Sequence, residues 1–385
     1  MTTSALARAR NIADLRLLAR KRMPRMIFDY IDGGAEDEIT LQRNVARLQA
    51  HALHWSVLRD IAAIDTTRTI MGARSALPFL ISPTAASRLF HHHGECGVAR
   101  AAARAGMIYA CSTIGSTTVE DIAQATAGPK WFQVYVFKDR GLVREGLARA
   151  RAAGFSALAL TVDVPVAGNR ERDPKNRFTI PPKVSAYTAI DALSHPAWLF
   201  HLVTSPPIRP ANFDAVPTDH PGGIMGFIDS QFDRSVTWKD AEWLVAQWDG
   251  PVAIKGISNA QDARQCIEIG VRGVWVSNHG GRQLGRAAAS IDTLPAVVDA
   301  VAGRASVIFD GGVRRGADIL TALALGAEGV AIGRSYLYGL GAGGEAGVSR
   351  AIDLLASELR RDMALMGVTS IAELTPAHVR RPPPA

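Results

Sequence analysis

The run "VSNHGGRQL", Val276 to Leu284, sets an imidazole and a guanidinium three residues apart around two glycines. An imidazole, with an ordinary pKa of about 6.5, can take or give a proton near neutrality. A guanidinium offers a planar fork that fits a carboxylate or phosphate. His279 and Arg282 could therefore face one substrate, with glycine letting the backbone approach it. Asn and Gly are equally at home in a surface turn, where the histidine would be incidental. This stretch alone leaves both readings open.

The elements around it decide where such residues fall. Four segments share a layout of helical alanines, a glycine and a short apolar run: "ARAGMIYACS", "RAAGFSALALTVD", "EIGVRGVWVSNHG" and "LALGAEGVAIGR". Each reads as a helix closed by glycine, a tight loop and a strand buried on both faces. With "LPFLIS", "WFQVYV", "PVAIKG" and "SVIFDGG" the strands number eight, which predicts a (β/α)8 TIM barrel. Residues 1–76 read as an N-terminal helical extension, 77–340 as the barrel, 341–378 as C-terminal helices and 379–385 as a tail. The stretch 165–250, after strand four, is a long insertion.

Every strand then delivers polar groups to one rim. Pro83, Thr84 and Ala85 follow strand one, and Ser112 follows strand two. Gln133 and Tyr135 are placed in strand three, Thr161 and Asp163 in strand four. Lys255 ends strand five, while Ser277 and His279 end strand six. Asp310, Gly311 and Gly312 follow strand seven, and Gly333 and Arg334 follow strand eight. Barrel enzymes keep their active sites at that rim. The glycine runs "DGGVRRG" and "IGRS" predict a phosphate cradle, with Arg314 and Arg334 adding charge.

Composition excludes other classes. The formal net charge of +7 suits anionic partners, but its cations are scattered and match no nucleic-acid motif, so nucleic acid is not expected. Three cysteines form no CxxC and no even framework, which favours a reducing compartment. No apolar run nears the length of about 20 residues that spans a bilayer. "ALARARNIADLRLLARKRMP" reads as one basic amphipathic helix stopped before Pro24, and not as a targeting peptide.

"SNHGGRQL", "DGGVRRGADILTALALGAEGVAIGR", "KWFQVYVFKDRG" and "FDYIDGGAEDE" resemble the FMN-dependent L-2-hydroxy acid dehydrogenase/oxidase family. Its members include glycolate oxidase, lactate oxidase and mandelate dehydrogenase. "VDVPVAGNRERD" and "YLYGLGAGGEAGV" are most similar to the bacterial respiratory L-lactate dehydrogenases. The resemblance spans about Leu15 to His378 and implies one FMN-binding domain over 1–378. It implies His279 as the base, Asp163 holding the imidazole, and Arg282 and Arg170 on the substrate carboxylate. Tyr30 and Tyr135 would contact substrate, and Lys255 would favour the reduced flavin. Thr84, Ala85, Ser112, Gln133, Thr161 and Ser277 match the remaining flavin contacts. The implied reaction is oxidation of a small L-2-hydroxy acid, most simply L-lactate to pyruvate. Electrons would pass to a quinone or similar acceptor. Glycolate, mandelate or a longer acid is the alternative substrate, and a silent flavin-binding protein is a distant alternative. The family also implies a homotetramer, cytoplasmic and peripheral on the inner face of the membrane.

Some residues depart from the family or carry their own question. Ile114 stands where glycolate oxidase has Trp, and Gly285 where members usually carry Asp. "HHHGE", His91 to Glu95, looks metal-like, yet adjacent histidines do not easily face one ion. It matches a family helix start, so no metal is expected there. In the insertion, residues 183–227 include Trp198, Phe200, Leu202 and Ile208, which could pack on the barrel or dip into a membrane interface.

Overall fold

A computed structural model describes residues 2–182, 186–213 and 223–380. Eight parallel strands run β1 Phe79–Ile81, β2 Tyr109–Ser112, β3 Lys130–Val134, β4 Ala157–Thr161, β5 Val252–Ile257, β6 Gly273–Val276, β7 Ser306–Phe309 and β8 Gly329–Ile332. They pair in chain order, and β8 closes the barrel against β1. Side chains alternate between two apolar layers, as a period-two strand requires. Leu80, Ala110, Trp131, Ala159, Trp275 and Ala331 belong to an inner cluster, large rings set among small alanines. Phe79, Ile81, Tyr109, Phe132 and Leu158 join the outer layer with the helices. Gly106, Gly154, Gly270 and Gly326, which end the four repeated helices, all have positive φ between +64° and +102°. A side chain there would be strained, which is why glycine marks each turn into a strand.

The extension differs from expectation in two ways. Its first helix is broken, Thr2–Arg8 and Ile12–Arg22, because the Asn11 side chain accepts from the Asp14 N–H and caps a new start. It is also not wholly helical: Arg68–Ile70 and Ala73–Ser75 form a hairpin. Ile70 and Met71 join the inner barrel cluster, so the hairpin plugs one mouth of the barrel. At the other terminus, Val379–Arg380 pairs antiparallel with Ala52–Leu53, so the tail begins after residue 380. The remainder of the tail lies outside the described residues.

Tyr135 and Asp163 lie just past the ends of β3 and β4, and Ser277 and His279 just past β6. Lys255 sits within β5, which runs on through an irregularity at Gly256 to Ile257. The insertion folds into the helices Arg172–Lys175, Ala186–Leu193, Pro196–Thr204 and Gly223–Gln231, before the barrel helix Trp238–Ala246. Its two faces differ. Trp198, Ile208 and Phe213 are buried, and the Trp198 indole donates to Leu89 O at 2.8 Å. Ile190, Leu193, Phe200 and Val203 face outward, each 60% or more exposed.

Candidate active site

A cavity of about 240 Å³ opens at the C-terminal ends of the strands. Every catalytic or flavin-contact residue assigned from the sequence lines it except Asp163 and Ser277, which stand behind those that do. Asp163 Oδ1 lies 3.0 Å from His279 Nδ1. Ser277 Oγ accepts from the Lys255 ammonium at 2.8 Å and from the His279 backbone N–H at 3.0 Å, and donates to Asp310 at 2.6 Å.

His279 is held in an unusual backbone conformation. Its φ is +56°, followed by Gly280 at +63° and Gly281 at +76°. A non-glycine residue there costs about 1–3 kcal/mol, and such positions cluster at functional sites. Neighbours hold it in place: the Asn278 side chain accepts from Gly281 N, and its amide donates to Asn44 Oδ1 at 2.8 Å. Burial pushes the Asp163 carboxyl up, but His279 and Lys255 outweigh it and hold it below the ordinary carboxylate range. Asp163 is therefore ionised, and its Oδ2 has no hydrogen-bond partner.

The cavity that holds the imidazole also carries a concentration of positive charge. Arg282 Nη1 donates to Tyr30 O at 2.6 Å and Gly33 O at 3.2 Å, and its guanidinium lies 5.0 Å from the Tyr30 ring centroid. Arg170 covers the same ring at 5.5 Å while pairing with Asp173 at 3.0 Å. Arg334 donates to Ile31 O, Gly280 O and Gly33 O between 2.7 and 2.8 Å. Burial pushes Arg334 down to about 9, with Arg282 and Arg314 adding repulsion. Burial and the nearby Arg170 also lower Arg282. Among the described residues, Arg282, Arg314 and Arg334 form no ion pair with a carboxylate. Part-buried cations without a carboxylate partner favour an anion in the cavity.

Residues 19–381 match the model of the FMN-dependent dehydrogenase family. The chain belongs to that family. A putative L-lactate dehydrogenase of Mycobacterium tuberculosis is 44% identical over 97% of this chain and 90% of its own length. The L-lactate dehydrogenase of Caulobacter vibrioides is 44% identical over 94% of this chain and 95% of its own. Among solved structures, the monotopic membrane protein (S)-mandelate dehydrogenase superposes with a TM-score of 0.94 at 37% identity, covering 97% of this chain and 100% of that one. This FMN-dependent dehydrogenase is thus an oxidoreductase of the L-2-hydroxy acid class.

The cavity fits the flavin nucleotide of its family. Gln133 Oε1 accepts from Ser112 Oγ at 3.1 Å and Thr113 N at 3.3 Å, while its Nε2 is buried without a partner. Thr161 Oγ1 is likewise buried and unpartnered, and both residues line the cavity. A ring edge with polar atoms would satisfy them. Gly311 and Gly312, at φ +116° and +92°, leave backbone open where a Cβ would strike Ser290 and Asn44. Beside them the helix Arg334–Met366 starts at Arg334, where free N–H groups suit a phosphate.

Several contributors carried no role in the sequence reading. A Cβ on Gly256 would lie 2.7 Å from the Asp163 Cβ, so only glycine at this strained φ of +112° lets Asp163 reach His279. Gln283 Nε2 donates to Asp163 O at 3.1 Å and Val166 O at 3.0 Å, tying the loop after β4 to the histidine loop. Ile180, Asp229 and Phe232 line the cavity from the insertion. Asp310, already placed at the rim from the sequence, gains a further part: it pairs with Lys255 at 3.1 Å.

Proposed function

We propose that this enzyme oxidises a small L-2-hydroxy acid, L-lactate foremost, to the 2-oxo acid, with His279 as the base. The observation carrying the reading is the His279–Asp163 contact at 3.0 Å with Arg282 and Arg170 in the same cavity. An ionised Asp163 accepts a hydrogen bond from the Nδ1–H of a neutral imidazole, which leaves the Nε2 lone pair free to accept the substrate's proton. The imidazolium that forms is then stabilised by the same carboxylate. Arg282, anchored by two carbonyls, keeps N–H groups free for the substrate carboxylate, and Arg170 adds a second cation. Bound FMN supplies the two-electron acceptor. Gln133, Thr161, Lys255 and the Gly311–Gly312 backbone would hold it, with Arg314 and Arg334 on its phosphate. Lys255, fixed by Ser277 and Asp310, places a buried positive charge where negative charge gathers.

Relatives named L-lactate dehydrogenase support lactate. The likeness to (S)-mandelate dehydrogenase supports a second reading, a larger aromatic 2-hydroxy acid. Electrons leave to a quinone-type acceptor, with the protein peripheral on the cytoplasmic face of the membrane and assembled as a homotetramer. The outward Ile190, Leu193, Phe200 and Val203 support the membrane contact. Among the described residues no helix is long and apolar enough to cross a membrane. The exposed Trp55, Val57 and Leu58 support a subunit interface. Anaerobic mixing with L-lactate, glycolate and (S)-mandelate, following loss of flavin absorbance, tests the reading. L-lactate should bleach the flavin fastest. No bleaching by any 2-hydroxy acid would overturn it.

A further inference from the structure

A second cavity, of about 520 Å³, lies next to the first, and the buried Phe90 lines both. Phe90 also stacks on Tyr30 of the first cavity, their centroids 6.2 Å apart, so its ring is shared by the walls of both. The second is walled by Trp198, Leu202 and Ile208 of the insertion and by His91, His92 and His201. Its imidazoles are layered: His92 and His201 centroids are 3.8 Å apart, and His91 and His92 are 4.3 Å apart. The long helix breaks at Gly343–Gly344, where a Cβ on Gly344 would lie 2.5 Å from the His91 ring, so the kink makes room for the layer.

The chemistry of this chamber is specific. Burial, then the neighbouring histidines, pushes His91 down to about 3, and burial with His201 and His93 pushes His92 down to about 4. Both rings are neutral hydrogen-bonding groups at pH 7. His92 Nδ1 is buried with no partner. Lys21, Arg22 and Arg88 complete the lining with positive charge. The ring nitrogens of His91, His92 and His93 come within 4.8 Å of one another, so adjacent histidines do converge here, contrary to the sequence expectation. His91 and His92 stack while His93 stands edge-on to both, and three nearby cations oppose a dication. A flat, apolar ring bearing carbonyl oxygens answers every feature: faces to stack on, an unpaired nitrogen to bond, and cations for the charge gained on reduction.

We infer that this second cavity binds the electron acceptor, a quinone-class ring that reaches His92, His201 and Trp198 from the helix Pro196–Thr204. The inference rests on the proposed dehydrogenase function and names the acceptor's place. Oxidation of the hydroxy acid gives up two electrons and two protons; bound FMN would relay the electrons, the protons pass to solvent, and two protons taken back from solvent convert both quinone carbonyls to hydroxyls. The helix whose inner face walls the chamber turns Phe200 and Val203 outward, which puts the cavity beside the proposed membrane contact.

The test uses oxidised holoenzyme and a decyl-tailed benzoquinone, with binding measured by equilibrium dialysis in the absence of substrate. The His92→Leu/His201→Leu double variant and the cavity-filling Leu202→Trp should each bind it roughly tenfold more weakly, as expected for a lost buried contact. Both should slow quinone-driven flavin reoxidation to match, while substrate-driven bleaching and reoxidation by a soluble dye stay unchanged. Unaltered quinone binding in both variants overturns the inference. Stoichiometric Zn²⁺ that is lost from the double variant, with quinone binding intact, overturns it in favour of a metal centre. Failure of bleaching in the parent enzyme would instead remove the dehydrogenase reading, because the binding measurement needs no substrate.

Discussion

Among the individual side chains, His279 carries the most chemistry and sits in the least ordinary backbone conformation, with Asp163 on one nitrogen and the cavity on its other side. His279→Gln should keep flavin, since the cradle residues are elsewhere, yet slow flavin reduction by at least about 10²–10⁴. Stopped-flow bleaching measures this directly, and near-parental reduction would falsify the base assignment. Arg282 is a different case, because its planar fork is pinned by Tyr30 O and Gly33 O. Arg282→Lys keeps a charge but loses the fork, so the half-saturating hydroxy acid concentration should rise by roughly tenfold or more. An unchanged value would move carboxylate recognition to Arg170. Both residues were legible in "SNHGGRQL". The Asp163 contact was implied by resemblance, but the glycine that permits it was not, since Gly256 acts through a close approach visible only once β4 and β5 pair.

Elements decide where apolar surface and buried histidines end up. In the helix Pro196–Thr204, Trp198 and Leu202 turn inward while Phe200 and Val203 turn out. The sequence allowed packing on the barrel or contact with a membrane; the helix has one buried face and one exposed apolar face. Removing 183–227 would therefore expose core, so Phe200→Asp with Val203→Asp is the cleaner change. It should abolish sedimentation with anionic liposomes and leave dye-linked turnover intact. Retained liposome binding would place the membrane contact elsewhere. The segment His91–His93 makes a pH prediction. His91 and His92 titrate lower in the fold than the ordinary value of about 6.5, so the unfolded chain takes protons first. Stability is then full above about pH 6.5 and falls as pH drops toward 4. His92→Gln should flatten that acid limb in thermal melts, and an identical limb would mean the histidines do not drive it.

On the scale of the whole molecule, Trp55, Val57 and Leu58 form an exposed apolar stretch, with Leu58 fully accessible. If copies assemble through it, Trp55→Ser with Leu58→Asp should convert a tetramer to smaller species in light scattering; a monomeric parent enzyme would remove the tetramer. The barrel itself was readable beforehand, because strands buried on both faces appear as short apolar runs and helix-ending glycines recur before them. The rim was readable for the same reason: parallel strands all release their polar residues at one end. Such signals are local, each spanning a few residues. What the sequence by itself determined was therefore the architecture, the flavin family and the set of residues at the mouth. Only tertiary structure decided that Lys255 pairs with Asp310 beside Ser277, and that the extension delivers the Tyr30 ring beneath two arginines. Only it set a histidine-lined chamber behind Phe90. These depend on barrel closure and on how a helix kinks at Gly343–Gly344, where contacts join residues hundreds of positions apart. No short run encodes such a contact, because its energy exists only after the intervening chain has packed.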